Sequence, residues 1–390
     1  MTGGLILLIN KNHQDNYFIE NPKITFFKIV YKKYSNFAQE MIKINTNKNS
    51  DFNKSLSFNI PYNGDLINKI ILQINLPGII NNNYKYAWVK KIGYNLIKTI
   101  SFEICGQIID IQYGEWMNIW YEINTTSKNA IVDKLIGNIP ELYDFDFNKD
   151  SYQLNIPLQF WFCKYNGLAF PLLCLKKYKI KINILFEKLE NVLRKEYTHS
   201  IKIKEYICHY KRGDIIKQNN TNEIIENIFS KFDYQTNRLY YLKIKSEFNT
   251  TNQMYSDNYI VNPTTSDFNI EYISYPTNLF LNNMNLLINY IYLDKLERNY
   301  FLNKKQQYLI ELVHFDGEKE FKNNNVKINT KFNYLSKEIY FLASLKNLKY
   351  NNILDRNNYS NTYDQKVGLI NTIQIIINGI LRNEYNNYKI

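Results

Sequence analysis

The sequence predicts an all-β protein built from two similar domains in tandem, and three observations carry that prediction. First, residues 96–106, LIKTISFEICG, align without a gap on residues 369–379, LINTIQIIING. Leu96/Leu369, Ile97/Ile370, Thr99/Thr372, Ile100/Ile373, Ile104/Ile377 and Gly106/Gly379 are identical pairs, and Phe102 falls on Ile375. Second, Ile or Phe stands at every second place in both copies, the period of a strand with one buried face, and a glycine follows where the chain must turn. Third, aromatic residues make up 16% of the chain, with 34 Tyr and 23 Phe. Such side chains suit half-buried pleated surfaces. At 390 residues the chain is long enough for two cores. With only 13 Gly and 8 Pro, its turns must rest on Asn and Asp, which tolerate left-handed backbone.

Taken in order, residues 1–20 read as an arm that opens on Gly3-Gly4, and Asn21-Pro22 marks its boundary. Residues 23–40 read as a strand leaving the arm. In 55–60, Leu56, Phe58 and Ile60 point inward and Ser55, Ser57 and Asn59 outward. Asn63-Gly64 is a strong hairpin signal because both residues accept positive φ. It joins that strand to Ile70, Leu72, Ile74 and Leu76, so a β-hairpin is expected.

Residues 113–122 break the alternation. Trp116 and Trp120 lie four apart, the spacing of one helix face, and the short helix could plug the end of a barrel. Residues 124–150 read as a loop. Residues 154–186 are strand-rich, with a turn at Asn166-Gly167. There Tyr178, Ile180, Ile182, Ile184 and Phe186 alternate with Lys179, Lys181 and Asn183, giving a lysine-lined face that would blunt edge pairing.

Residues 190–285 are polar and read as a long insertion with hairpins of its own. Residues 288–301 return to strand and then a charged connection. Further strands are expected at 306–315, 339–345 and 369–377, with a polar loop over 348–366 and the domain junction near 298–305.

The formal charge is +12. Its lysines are scattered and no arginine stripe occurs, which argues for compositional bias and against a nucleic-acid footprint. Four cysteines, no CxxC pair and no leader suggest a soluble protein with free thiols from a reducing compartment. Its apolar run at 5–9 is far too short to cross a bilayer. Catalytic signatures are absent: no GxSxG, HExxH or P-loop string occurs. His13, His199, His209 and His314, even with Cys208, do not make a regular metal-ligand spacing. Asp65 and Asp110 read as turn or loop residues and Glu115 as helix surface or barrel rim. Trp161 and Phe162 read as core residues of an alternating strand, in preference to a platform for stacking bases.

Several motifs, in order along the chain, resemble the major capsid proteins of nucleocytoplasmic large DNA viruses. They are the string at 3–40, Asn63-Gly64-Asp65-Leu66, residues 104–107 with Gly106, and Tyr113-Gly114-Glu115-Trp116. The rest are 157–163 with Pro157 and Trp161, 167–172 with Gly167 and Pro171, 290–298 with Asp294, and 308–311 with Glu311. The resemblance implies a tandem double jelly roll: an arm over 1–22, a first barrel over 23–298 carrying the insertion at 190–285, and a partial second barrel over 305–390. It implies a homotrimer forming a pseudo-hexameric capsomer of an icosahedral virion shell, assembled in the host cytoplasm. Partners would be neighbouring capsomers, minor capsid proteins and the inner membrane. No cofactor, metal, catalytic residue or specific nucleic acid is implied. Relatives continue beyond the match to 369–388. A fragment or split gene, a degenerate paralogue, or a second chain supplying strands would each account for that. The rival classes are a β-sandwich that binds nucleic acid or glycan, and an enzyme on a β scaffold.

Overall fold

Eight main strands of the computed structural model form two facing sheets, the first of which also takes in the two-residue strand Phe170–Pro171, and the chain passes repeatedly from one to the other. The structure describes residues 3–5, 36–46, 50–81, 84–124, 130–205 and most of 208–386, with the longest breaks at 263–274, 345–355 and 360–367. The strands are β1 (Phe37–Asn45), β2 (Ser55–Asn59), β3 (Leu66–Leu76), β4 (Ile97–Ile104), β5 (Gln107–Tyr113), β6 (Tyr152–Pro157) and β7 (Ile180–Phe186). Six strands of an insertion follow, numbered β8 to β13 below, and then β14 (Asn282–Leu293). One sheet runs β1–β14–β3–β6 and the other β2–β7–β4–β5. This interleaving is the eight-stranded jelly roll.

Apolar alternation decides which face of each strand is covered. Leu56 and Phe58 of β2, Ile70, Leu72, Ile74 and Leu76 of β3, and Ile180, Ile182, Ile184 and Phe186 of β7 are all buried in one core. Those inward positions are the ones the sequence pattern marks. Tyr178, taken with them, is exposed just before β7.

The expected hairpin across Asn63-Gly64 does not form. β2 pairs with β7, whereas β3 pairs with β14 and β6, so the loop carries the chain between sheets. Neither residue has positive φ. Gly64 is instead required by close approach, because a Cβ there would lie 2.9 Å from Cβ of Tyr290. The lysine face of β7 blunts no edge, since β7 sits between β2 and β4. Lys181 and Asn183 turn to Glu103 of β4 instead.

The 124–150 stretch is not a plain loop. It holds helix α2 (Ala130–Ile136), a turn of helix over Pro140–Tyr143 and a short strand. Ile136 and Leu142 each bury one apolar side chain against the core. Helix α1 (Gly114–Asn124) is present as expected and buries Gly114, Met117 and Asn118. Trp161 and Phe162 lie on the short helix α3 (Trp161–Lys164), not on a strand, although the core reading holds for both.

The insertion between β7 and β14 is a six-stranded sheet in the order β8–β11–β10–β9–β12–β13. Its strands are His199–Lys202, Ile215–Asn219, Ile224–Asp233, Arg238–Lys243, Met254–Ser256 and Tyr259–Val261, for β8 to β13 in turn. It has a separate core around Ile203, Ile216, Leu239, Tyr241 and Met254.

After β14 come helix α4 (Lys295–Asn303) and, among the described residues, a single further hairpin: β15 (Thr372–Ile377) with β16 (Ile380–Asn386). The strands expected at 306–315 and 339–345 are not strands in their described residues. The arm, the expected strand at 23–40 up to residue 35, and most of 348–366 lie outside the described residues.

The sequence echo is an echo in structure. The β4–β5 hairpin turns through Cys105 and Gly106, both at positive φ, and β15–β16 turns at Gly379, φ +79°. Both hairpins carry a bulge. The unpaired residue is Ile109 in the first and Arg382 in the second, separated by the same 273 residues as Leu96 and Leu369. A bulge twists a ladder at one chosen place, so its repetition at one offset marks the same design twice.

Two glycines separate packing from mere presence in a motif. A Cβ on Gly114 would fall onto the carbonyl oxygens of Tyr94 and Ile97, whereas one on Gly167 meets nothing within 4 Å. Gly114→Ala should destabilise by more than about 3 kcal/mol and Gly167→Ala should stay within about 0.5 kcal/mol of the parent, read as urea midpoints.

Candidate functional site

The densest set of long-range polar contacts lies where the jelly roll meets the chain that leaves it. Asp65, at the head of β3, is buried. Its N–H donates to the Ile291 carbonyl at 2.9 Å, and its own carbonyl accepts from Leu173 N–H at 3.0 Å. Its Oδ2 accepts from Leu293 N–H at 2.8 Å and from Nη2 of Arg298 at 2.7 Å. One carboxylate thus ties β3 to the last turn of β14 and to α4. Asp65 lies in the bend just before β3, in keeping with the turn or loop position expected from sequence, and there it acts as a charged hydrogen-bond hub.

Asp294 begins α4 as its N-cap, its side chain accepting from Leu296 N–H at 2.7 Å. Such a cap satisfies a helix-end donor that would otherwise be orphaned. Gly64 lets the chain lie against Tyr290, and Asn63 beside it is exposed. Pro171, opposite Leu66, closes the same corner.

Beside the hub lies an aromatic knot. The Phe102 ring has Phe160, Trp161, Phe162 and Phe170 within 5.0–5.7 Å, mostly tilted or edge-on. Those are the favoured arrangements of ring quadrupoles. Pro157 ends β6 opposite Ile71 of β3. Trp161, Phe170 and Pro171 form one wall of an open apolar cleft of about 490 Å³ whose other wall is Leu302, Tyr308 and Ile310. The chain beyond α4 therefore runs along the barrel.

Four further contacts hold it there. Tyr113, at the end of β5, has the Phe315 ring at 5.1 Å, and Trp116 has the Tyr340 ring at 5.2 Å. Glu311 spans Lys164 at 4.0 Å and Lys337 at 2.7 Å. Glu115 accepts from the Tyr359 hydroxyl at 2.8 Å. Gly106 stands apart at the tip of the β4–β5 turn and Gly167 in an exposed helical turn, so neither joins this junction.

Asp110, by contrast, is no turn or loop residue. It sits inside β5, buried, opposite Phe102. Burial pushes its carboxyl up to about 6, partly countered by the Gln112 amide and the charge of Lys164. Burial also pushes the Cys163 thiol up to about 12, so it stays protonated and unreactive near neutrality. Arg298, Lys164 and the buried role of Asp110 escape sequence inspection. Only the odd placement of Asp110 and Gln112 on the inward face of an alternating strand signals them. Among the described residues, no group of three or more His, Cys, Asp or Glu side chains could hold a metal ion. His199 lies buried on β8 with its ring 5.6 Å from that of Tyr241. The junction binds segments of one chain to one another.

Residues 25–209 match the family described as major capsid protein N-terminus. "Probable capsid protein 4" of Acanthamoeba polyphaga mimivirus is 39% identical over 380 residues, covering 89% of this chain and 73% of its own length. "Capsid protein 1" of the same virus is 30% identical, with coverage of 89% and 49%. The "Major capsid protein" of Phaeocystis pouchetii virus is 36% identical, with coverage of 50% and 42%. The chain thus spans about half the length, or less, of the last two relatives. Among solved structures, the Faustovirus major capsid protein aligns over 72% of this chain and 58% of its own at 12% identity, with a TM-score of 0.43.

Asp65→Ala should destabilise by about 2–4 kcal/mol, because it strands Leu293 N–H and Arg298 together. Arg298→Ala, which removes only the half-exposed partner, should lose less than about 1.5 kcal/mol; denaturant titration ranks the two. The raised Asp110 carboxyl makes protonation favour folding. Its contribution is full below the ordinary value of 3.8 and is lost as pH rises through about 6. Asp110→Asn should therefore raise stability by about 1–3 kcal/mol above pH 6 and by nothing near pH 4. Unfolding midpoints at the two pH values test this.

Proposed function

Since this chain belongs to the major capsid protein family of large DNA viruses, we propose that it is a structural subunit of an icosahedral virion shell, with no catalytic role. The observation that carries this reading is the jelly roll itself, closed by β14 and joined to a chain related along 89% of its length to a mimivirus capsid protein. In this reading residues 23–298 are one upright barrel and 305–390 belong to a second, with 1–22 an arm reaching inward. Three copies make a pseudo-hexagonal capsomer, because two similar barrels per chain and three-fold closure give six pillars. Neighbouring capsomers, minor capsid proteins and the inner membrane are its partners, and assembly takes place in the host cytoplasm.

The insertion supports an outward position. It hangs between the last two strands of the barrel and has its own core, so it can vary without disturbing the jelly roll. The working residues are those that shape the barrel: Asp65, Asp294 and Glu311 at the junction, Gly64 and Gly114 at close approaches, and Tyr113, Trp116, Trp161, Pro157 and Pro171 in packing.

Light scattering on the purified chain tests the oligomer. A species near 140 kDa, three times 46.8 kDa, is expected. A monodisperse monomer at micromolar concentration overturns the trimer.

A further inference from the structure

The sheet of the insertion is closed on itself. β8 and β13 are its two edges, and the residues that follow them meet. Lys204 N–H donates to the Asn262 carbonyl at 2.9 Å. Asn262 N–H donates to both carboxylate oxygens of Glu205, at 2.8 and 2.9 Å, and the Asn262 side-chain amide donates to Oε1 at 2.8 Å. Glu205 thus stands in for a ladder partner where two edges come together. With a separate core inside that ring, the insertion has the makings of a unit that opens and closes apart from the jelly roll.

Its stem is polar. Leu193–Lys195 still pair with Tyr86–Trp88 of the barrel, and β8 begins four residues later. In between, the Glu196 carbonyl accepts from the Ser230 hydroxyl at 2.8 Å, and its carboxylate meets Lys231 at 3.3 Å. Thr198 N–H donates to the Tyr241 carbonyl at 3.1 Å.

His199 stands next, 2% exposed. Its Nδ1 lies 2.9 Å from Oγ1 of Thr198. That hydroxyl accepts from Lys243 N–H at 2.8 Å and spends its own hydrogen on the Tyr241 carbonyl at 3.4 Å. Nδ1–H is therefore the donor, and Nε2 is the nitrogen left to take a proton. Nε2 is 3.4 Å from Oε1 of Glu247, an oxygen that the Lys243 ammonium already holds at 3.0 Å. The charged groups that face the ring are Glu247, Lys243 and Lys195. A second proton would thus put a cation out of water, beside two ammonium groups and one carboxylate that is already shared. Burial holds the imidazole below its ordinary value. Glu247 opposes that shift, and Lys243 and Lys195 add to it.

We propose that the insertion is an acid-sensitive module: a proton on His199 at its stem loosens the unit that Glu205 closes, while the jelly roll keeps its fold. Unfolded, the imidazole titrates near 6.5, and in the closed insertion it titrates lower. The stability that neutral His199 contributes is therefore full above 6.5 and is lost as pH falls through the folded value. The barrel answers in the opposite sense, because buried Asp110 takes up a proton more readily folded than unfolded. One change of pH weakens the first unit and spares the second.

Hydrogen exchange on the whole 390-residue chain tests this. Protection factors are compared at pH 7.5 and 5.5, so that the intrinsic effect of pH on exchange cancels. Residues 225–243 report the insertion, and 97–104 with 282–293 report the barrel. Protection over 225–243 should fall about three- to tenfold at the lower pH, tenfold being the limit set by an unfolded imidazole at 6.5. Protection of the barrel should not fall. His199→Gln keeps a donor for Thr198 but takes no proton, so it should abolish the fall. His199→Phe, which keeps a ring against Tyr241, is the second variant. Glu205→Ala should lower protection over 225–243 at pH 7.5 and leave 97–104 unchanged. In the parent chain, the His199 imidazole should titrate below 6.5 by NMR. Equal protection at the two pH values overturns the proposal, as does a fall that persists in both His199 variants or is shared by the barrel. A titration of His199 at or above 6.5 overturns it too, and an effect of Glu205→Ala that does not reach 225–243 removes the latch. None of these readouts depends on oligomeric state.

Discussion

The jelly roll depends on β14. It lies between β1 and β3, so until it arrives one sheet has no centre. Its contacts are among the most distant in sequence. The Asn289 amide reaches Gln39 across 250 residues, and Leu293 N–H reaches Asp65 across 228. Closing such loops is entropically unfavourable, but the penalty grows only logarithmically with length. A chain with this topology can therefore house a whole subdomain in the loop before β14. The hub at Asp65 stands where the returning strand ends. Its carboxylate receives the last β14 amide and the first arginine of α4, fixing strand length and exit direction together.

Alternation made the barrel legible in sequence. Positions 56–58, 70–76 and 180–186 point as their pattern says, because a strand with one covered face has no other way to hide Ile and Phe. The strand partners were not legible. Asn63-Gly64 offers an excellent two-residue turn, yet it connects different sheets. Local turn chemistry cannot register that β2 is already claimed by β7, more than a hundred residues on. The helices at 130–136 and 140–143 were missed for a related reason. Each buries a single apolar side chain, Ile136 or Leu142, and one anchor leaves no periodic trace. Asp110 and Arg298 show the same limit at the junction. Their identities are plain in the sequence, but burial and a partner 233 residues away make them matter.

The basic composition also has a structural outlet. Many lysines lie over aromatic rings: Lys85 over Phe147 at 5.1 Å, Lys164 over Trp120 at 4.5 Å, Lys195 over Tyr275 at 3.8 Å, and Lys231 between Tyr197 and Tyr240. A chain rich in both Lys and Tyr can cover ring faces with ammonium groups, each pair worth about 0.5–1 kcal/mol when exposed. The long methylene stems shield apolar surface in the same contacts. These lysines are engaged by rings at separate places in the fold. That dispersal fits a protein whose surface meets other protein, and it weakens the reading of +12 as a nucleic-acid footprint.

Repetition of the β4–β5 hairpin near residue 380 bears on how a two-barrel chain is built. Sequence identity between the copies is confined to a few positions, and Phe102 itself is replaced by isoleucine. What persists is the glycine turn and the bulge, at Ile109 and Arg382. Both set the local twist of the ribbon. An isolated two-stranded hairpin is marginal in water, so twist alone does not explain why this one forms when the described residues of 306–315 and 339–344 form no strand. The difference is connectivity: its two strands are adjacent in sequence, and a two-residue turn brings them together. Residues 306–315 and 339–344 carry apolar side chains enough for strands, but β1 and β3, which stand 273 residues earlier, pair with strands that come much later in the chain. In the first barrel the early strands carry the face pattern, and strands far along the chain turn it into a sheet.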